Sequence, residues 1–281
     1  MREQQLPLHL KLPDSTTFES YFAGPNQEAL AYLVNGDVTM TWLWGESSSG
    51  KTHLLQSVAA ASDQAVYLPL AELKPYGPFV LDGYDAFDVV CLDQLDAIIP
   101  PQDQNTASLE QADRRGVQHV ISDGGSTAFE VEPDDQHNAE SEDTEFDRAL
   151  QAPLSLATQR LWEKALFKLY QEVVVERQNT LVVASKSAPK NSLFLLPDLE
   201  SRLLSGPVFR LQSLDDDQLL SAIQLRASRR GLKLPDATGR YLLRRMKRDM
   251  HSLCEFLDRL DTASLVHQSK LTIALVKTTL G

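Results

Sequence analysis

Through its first two thirds the chain alternates short apolar runs, rich in β-branched and aromatic residues, with stretches of helical period. Residues 39–44, 65–70, 89–92, 180–184 and 208–211 read as strands, and residues 51–61 as a helix. Residues 161–176 read as another helix, with Leu161, Ala165, Leu169 and Val173 falling four apart on one face. Strands and helices in alternation predict an α/β fold with a doubly wound parallel sheet. From residue 213 the strand signal stops. Asp215, Asp216 and Asp217 open a helix at the positive end of its dipole, and Gly231 closes it behind Arg229 and Arg230. Two further helices over 236–247 and 249–267 and a short one opened by Thr272 predict a small all-α bundle of about seventy residues.

Between the two halves of the α/β pattern, residues 101–153 break both periods. The segment contains Ser122-Asp123-Gly124-Gly125-Ser126 and the acidic run Pro133-Asp134-Asp135, and it holds too little apolar surface to offset the entropy of ordering. It is expected to be a disordered insertion, because the apolar patterns on its two sides complete a single α/β unit and a loop insertion costs little. Its weight dominates the charge. The chain carries −12 overall, yet residues 101–150 alone carry −10 and residues 210–281 carry +5, so the whole-chain value does not argue against nucleic-acid partners. No apolar run is long enough for a membrane span and residues 1–11 lack a signal-peptide pattern, so a cytoplasmic protein is expected. Cys91 and Cys254 lie far apart and outside any zinc-ligand spacing, which excludes a disulfide scaffold or zinc module and leaves them as packing residues.

The chemistry begins at Gly45-Glu46-Ser47-Ser48-Ser49-Gly50-Lys51-Thr52, a full G-x-x-x-x-G-K-[ST] between a predicted strand and a predicted helix. Such a loop wraps phosphate oxygens with backbone amides at a helix N-terminus. Lys51 is expected to reach the β- and γ-phosphates, and the Thr52 hydroxyl to bind Mg²⁺. A second anchor for the metal is expected at the end of a neighbouring strand, and Asp93 stands there, closing Val89-Val90-Cys91-Leu92. The next residue is Gln94, whose amide cannot take a proton near neutral pH. Intrinsic hydrolysis is therefore expected to be weak or absent.

These two motifs, a strand ending Ala184-Ser185-Lys186, an arginine in Leu199-Glu200-Ser201-Arg202-Leu203 and the helical tail together resemble the AAA+ family. Thr17-Phe18-Glu19-Ser20-Tyr21-Phe22-Ala23-Gly24-Pro25-Asn26 is similar to the entry segment of its DnaA/Hda branch, as are Gln224-Leu225-Arg226-Ala227-Ser228-Arg229-Arg230-Gly231 and Lys270-Leu271-Thr272-Ile273. The similarity spans nearly all the chain outside the insertion, and the helix-turn-helix domain into which an initiator would continue after the lid is not expected here.

The resemblance implies an AAA+ nucleotide-binding unit over 13–212, a helical lid over 213–281 and a clamp-binding peptide over 1–12. Gln5, Leu6, Leu8 and Leu10 of that peptide would enter the sliding clamp (the β subunit) of DNA polymerase III, or Leu6-Pro7-Leu8 would do so in a shifted register. ADP or ATP, with Mg²⁺ on Thr52 and Asp93, would be held by Gly45, Ser48, Ser49, Gly50, Lys51, Thr52, His53 and Asp93, with His251 contributed by the lid. Arg202 would be an arginine finger given in trans to DnaA-bound ATP, the alternative for this side chain being a surface salt bridge with Glu200 or Asp198. His251 stands where the family commonly has a sensor arginine, and Lys186 where an acidic residue is usual. Both departures suit a nucleotide held as a structural ligand.

The implied function is negative regulation of replication initiation by inactivation of DnaA, at the clamp on the nucleoid. An AAA+ neighbour could also be a second copy of the chain, and DNA a contact through the clamp. The other readings are an autonomous replication motor or helicase loader, and a small-molecule P-loop kinase, which would place its lid inside the α/β unit.

Overall fold

A computed structural model describes residues 16–35, 39–102, 154–247, 249–267 and 272–280 of the chain. Gln5, Leu6, Leu8 and Leu10 lie outside the described residues, as do residues 103–153 of the acidic insertion and the side chain of His251.

Five strands, β1 (Met40–Trp44), β2 (Ala65–Pro69), β3 (Val89–Asp93), β4 (Thr180–Ser185) and β5 (Val208–Arg210), form one sheet in the order β2-β3-β4-β1-β5. Every pairing is parallel, as a sheet covered on both faces should be. Alternate residues feed two separate cores. Met40 and Trp42, Val90 and Leu92, and Leu181 and Val183 point to one side. Leu43, Cys91, Val182 and Ala184 point to the other. Helices α1 (Gln27–Asn35) and α2 (Lys51–Ala60) cover the second face; α3 (Leu70–Leu73), α4 (Leu156–Tyr170) and α5 (Pro197–Leu203) cover the first.

Helix α4 departs from expectation in start and in face. Ser155 caps it by accepting the Thr158 amide at 3.1 Å, so it begins well before Leu161, and a π-helical turn over Gln171–Glu176 extends its end. Its buried stripe is Trp162, Leu166, Leu169 and Val173, whereas Leu161 is 54% exposed. The apolar spacing beginning at Leu161 misplaced the face because two polar residues, Gln159 and Glu163, are fully buried on the true one.

The C-terminal bundle comprises α6 (Asp216–Arg229), α7 (Asp236–Leu243), α8 (Met250–His267) and α9 (Ile273–Leu280). Asp215 and Gln218 cap α6 reciprocally, and Gly231, in the left-handed region, ends it while the Leu232 amide reaches back to the Ala227 carbonyl. Thr272 caps α9 by accepting from the Leu275 amide at 3.3 Å. Leu220, Ile223, Leu242, Leu253, Leu257, Leu260 and Val276 form a third core of the bundle's own. Among the described residues no helix is long and apolar enough to cross a membrane.

Candidate nucleotide site

The site lies at the carboxyl ends of β1, β3 and β4, where parallel sheets of this kind carry their ligands. The loop from Gly45 to Gly50 leaves β1 and turns into α2. Two of its glycines are needed for space: a Cβ on Gly45 would stand 2.3 Å from the Leu211 carbonyl oxygen, and one on Gly50, at φ +91°, would stand 2.9 Å from the Tyr21 ring. Lys51 Nζ lies over the loop and donates to the carbonyls of Gly45 (2.7 Å) and Glu46 (2.8 Å) and to Ser49 Oγ (3.2 Å). Burial pushes its pKa below that of an ordinary lysine, and the carboxylates of Asp93, Asp96 and Glu46 oppose the shift.

Asp93, 1% exposed, closes β3 beside this loop. Its Oδ2 accepts from the Thr52 hydroxyl at 2.6 Å and the Tyr67 phenol at 2.8 Å, and its Oδ1 from the Gln94 amide at 2.8 Å. Burial and the neighbouring Asp93 push the Tyr67 phenol far above its usual pKa, so it remains a donor. A hydroxyl and a carboxylate in contact at the foot of a phosphate loop form an oxygen donor set that fits Mg²⁺. Gln94 follows in the left-handed region and leads into the turn Leu95–Ala97. From that turn Asp96 accepts the Lys186 amide at the end of β4, so Lys186 is brought to the site's edge.

His53, one residue past Thr52, spans from the phosphate loop to the lid. Its Nε2 lies 3.1 Å from the Thr17 carbonyl and 3.2 Å from Ser20 Oγ, and its Nδ1 lies 3.3 Å from an Arg226 guanidinium nitrogen. With a proton on Nε2 and a lone pair on Nδ1 both contacts are satisfied. The Tyr21 ring meets its edge at 5.2 Å. Burial first, and then the Arg226 charge, push its pKa down to about 4, so the ring is neutral near pH 7.

Around His53 and the end of the loop is an open cleft. Its walls are Ser20, Tyr21, Phe22 and Asn26 of the entry segment, Ser48, Ser49, Gly50 and His53, and Leu214, Ala222, Arg226 and Met250 from the helical side. Loop backbone, polar side chains and apolar side chains line it together, a lining that suits a nucleotide. Asn26 fastens the entry segment to the strand end by exchanging hydrogen bonds with the Gln212 backbone (3.0 and 2.8 Å). His251 follows Met250 on α8.

Of the expected nucleotide-binding residues, the structure brings Gly45, Ser48, Ser49, Gly50, Lys51, Thr52, His53 and Asp93 together. Arg202 lies elsewhere. Its guanidinium packs 5.1 Å from the Phe167 ring centroid and 5.9 Å from that of Tyr170, and it forms no salt bridge with Glu200 or Asp198 among the described residues. Sequence reasoning missed Tyr21 and Arg226 as walls of the cleft and Tyr67 as a donor to Asp93. Arg226 carried one available signal, standing one helical turn from Ala222 on α6.

Comparison with known proteins adds two findings. Residues 215–280 match the family model described as "Hda, lid domain". Among solved structures, domain III of the replication initiation protein DnaA of Thermotoga maritima aligns at TM-score 0.58 and 15% identity, over 96% of this chain and 98% of that one. AMPPCP-bound DnaA from Aquifex aeolicus aligns at 0.54 and 14%, over 91% and 67%. A T158V variant of Thermotoga maritima RuvB aligns at 0.51 and 13%, over 94% and 72%. At these identities the structures speak for the fold alone, a parallel five-stranded α/β unit followed by a helical bundle. The lid match covers residues 215–280 and concerns that segment's sequence.

Proposed function

We propose that this chain is a nucleotide-bound AAA+ regulator which, together with the DNA-loaded sliding clamp, promotes hydrolysis of DnaA-bound ATP through Arg202 and so represses re-initiation of chromosomal replication. In this reading residues 13–212 hold the nucleotide, residues 213–281 form the lid and residues 1–12 tether the chain to the clamp. The observation that carries it is the separation of Arg202 from the cleft of its own chain. An arginine that serves its own nucleotide would line that cleft; Arg202 instead sits over Phe167 and Tyr170 of α4. The match to the Hda lid supports the same reading.

The cleft residues then have a holding role. Backbone amides of Ser48, Ser49 and Gly50 and the Lys51 ammonium bind the phosphates of ADP or ATP, while Thr52 and Asp93 hold Mg²⁺. Bound there, the ion supplies charge neutralisation at phosphate oxygens. Gln94 takes no proton, so the chain retains its nucleotide. Arg202 stabilises charge on the phosphate of the neighbouring subunit, where fingers of this kind are worth roughly 10³ to 10⁵ in rate.

The test is DnaA-bound ATP hydrolysis with clamp loaded on DNA, with the wild-type chain and with Arg202→Ala. Stimulation by the wild type that falls by at least about a hundredfold in the variant is expected. Undiminished stimulation by the variant removes the finger, and turnover by the chain alone would favour an autonomous ATPase.

A further inference from the structure

We propose that Glu163 is a positioning residue for Arg202, and that the face of α4 carrying it sets the angle and reach at which the guanidinium is offered to a partner subunit. This rests on the reading of Arg202 given above.

Glu163 is fully buried and forms no salt bridge among the described residues. A carboxylate withdrawn from water with no cation must be solvated by N–H donors, and it has a full set of them. The Leu195 amide lies 3.0 Å from each of its oxygens, the Leu196 amide donates to Oε2 at 2.7 Å, and Gln159 Nε2 donates to Oε1 at 2.8 Å. Gln159 also donates to the Leu193 carbonyl at 2.6 Å, so two side chains of one helix hold the strip 193–196. That strip leads into the arginine helix: Leu196 is the cap position of α5, which has no side-chain cap of its own and begins with Pro197. Glu163 thus holds, from a neighbouring helix, the two residues that lead into α5.

The same face of α4 holds the far end of α5. Phe167 and Tyr170, four and seven residues past Glu163, lie under the Arg202 guanidinium. The Gln171 side-chain amide lies beside both terminal nitrogens of Arg202, and assigning its oxygen to that side lets it accept from them at 3.3 and 3.2 Å. One helix thus fixes the entry of α5 and the group α5 presents. With backbone N–H groups as its partners, the carboxylate ties the position of 195–196 to α4. Misplacement by about an ångström can cost on the order of a hundredfold in a rate that depends on alignment.

The experiment compares Glu163→Gln, Arg202→Ala and the double variant as full chains with ATP-loaded DnaA and the DNA-loaded clamp. It reads the maximal stimulated rate, the concentration for half-stimulation and the chain's own affinity for ADP. An amide accepts on one side only and opposes a backbone N–H on the other. The maximum should therefore fall about tenfold or more, with half-stimulation and ADP affinity held within about twofold, and the double variant should be no worse than Arg202→Ala alone. A wild-type maximum in Glu163→Gln, or a loss that moves all three readouts together, overturns the positioning role. Should Glu163→Gln fail to fold, Phe167→Leu decides the matter, since it keeps apolar volume and removes the π face: a lower maximum at unchanged half-stimulation supports the proposal, an unchanged maximum overturns it. Full stimulation by Arg202→Ala would bring down the finger reading and this inference with it, whereas an inactive Arg202→Ala beside an intact Glu163→Gln overturns the inference alone.

Discussion

The nucleotide cleft and the shelf under Arg202 are built on opposite principles. The shelf belongs to one apolar core: Trp162, Leu166 and Leu169 of α4 and Leu199 and Leu203 of α5 are fully buried against the sheet. The cleft lies where two cores meet, and much of what joins them there is polar. Arg229 pairs with Glu19, and Arg226 meets His53. Close-packed apolar surfaces resist displacement, while polar contacts across a seam exchange readily with water and ligand. A helical bundle joined in this way can adjust to a ligand in the cleft; an arginine mounted on a core cannot wander.

The largest test of this contrast is a cavity under the shelf. Leu199→Ala should destabilise the α/β unit by about 2–5 kcal/mol, as large-to-small changes at fully buried sites do, read from denaturant unfolding. A loss well under 1 kcal/mol would mean that α5 is held as loosely as the lid, and the contrast would fail.

Next comes the histidine at the seam. With its pKa pushed down from 6.5 to about 4, His53 is neutral in folded and unfolded chains above pH 6.5 and costs nothing there. As pH falls below 6.5 the unfolded chain takes up a proton that the folded chain does not, so stability falls until about pH 4, by roughly 3–4 kcal/mol at most. Arg226 is the cation facing the ring, so protonation also sets like charges together. His53→Gln should remove this part of the slope between pH 6.5 and 4, leaving the carboxylate contribution. Parallel stability profiles for wild type and variant would show that the ring is not sealed in the seam.

These tests fall on residues that the sequence reveals unequally. The strands were legible because each is a short apolar run ended by polar or turn residues, and the phosphate loop because its chemistry is contiguous from Gly45 to Thr52. Helix α1 went unread: only Ala29 and Leu33 are buried on it, too few to mark a period. The face of α4 was misread because Glu163 and Gln159 occupy core positions, a choice made by the distant strip 193–196 that they hold. Arg226 and His53 meet across 173 residues of sequence and Tyr67 meets Asp93 across 26; neither contact has a local pattern. What the chain writes locally can be read locally, and the rest of the site is set by folding.

The smallest effect is predicted at the outer latch. Arg229 donates to Glu19 Oε2 at 2.7 Å and to the Glu19 carbonyl at 3.1 Å, a geometry that on distance alone suggests a strong clamp between α6 and the entry segment. Yet the two side chains are 47% and 72% exposed, so water and salt screen the pair and ordering two long side chains offsets much of the gain. Arg229→Ala should lower stability by less than about 1 kcal/mol at low salt, and by less still at 1 M salt, where charges are screened within about 3 Å. A loss of several kcal/mol that persists at high salt would make the latch a structural joint, and the lid would then be as firmly mounted as the arginine.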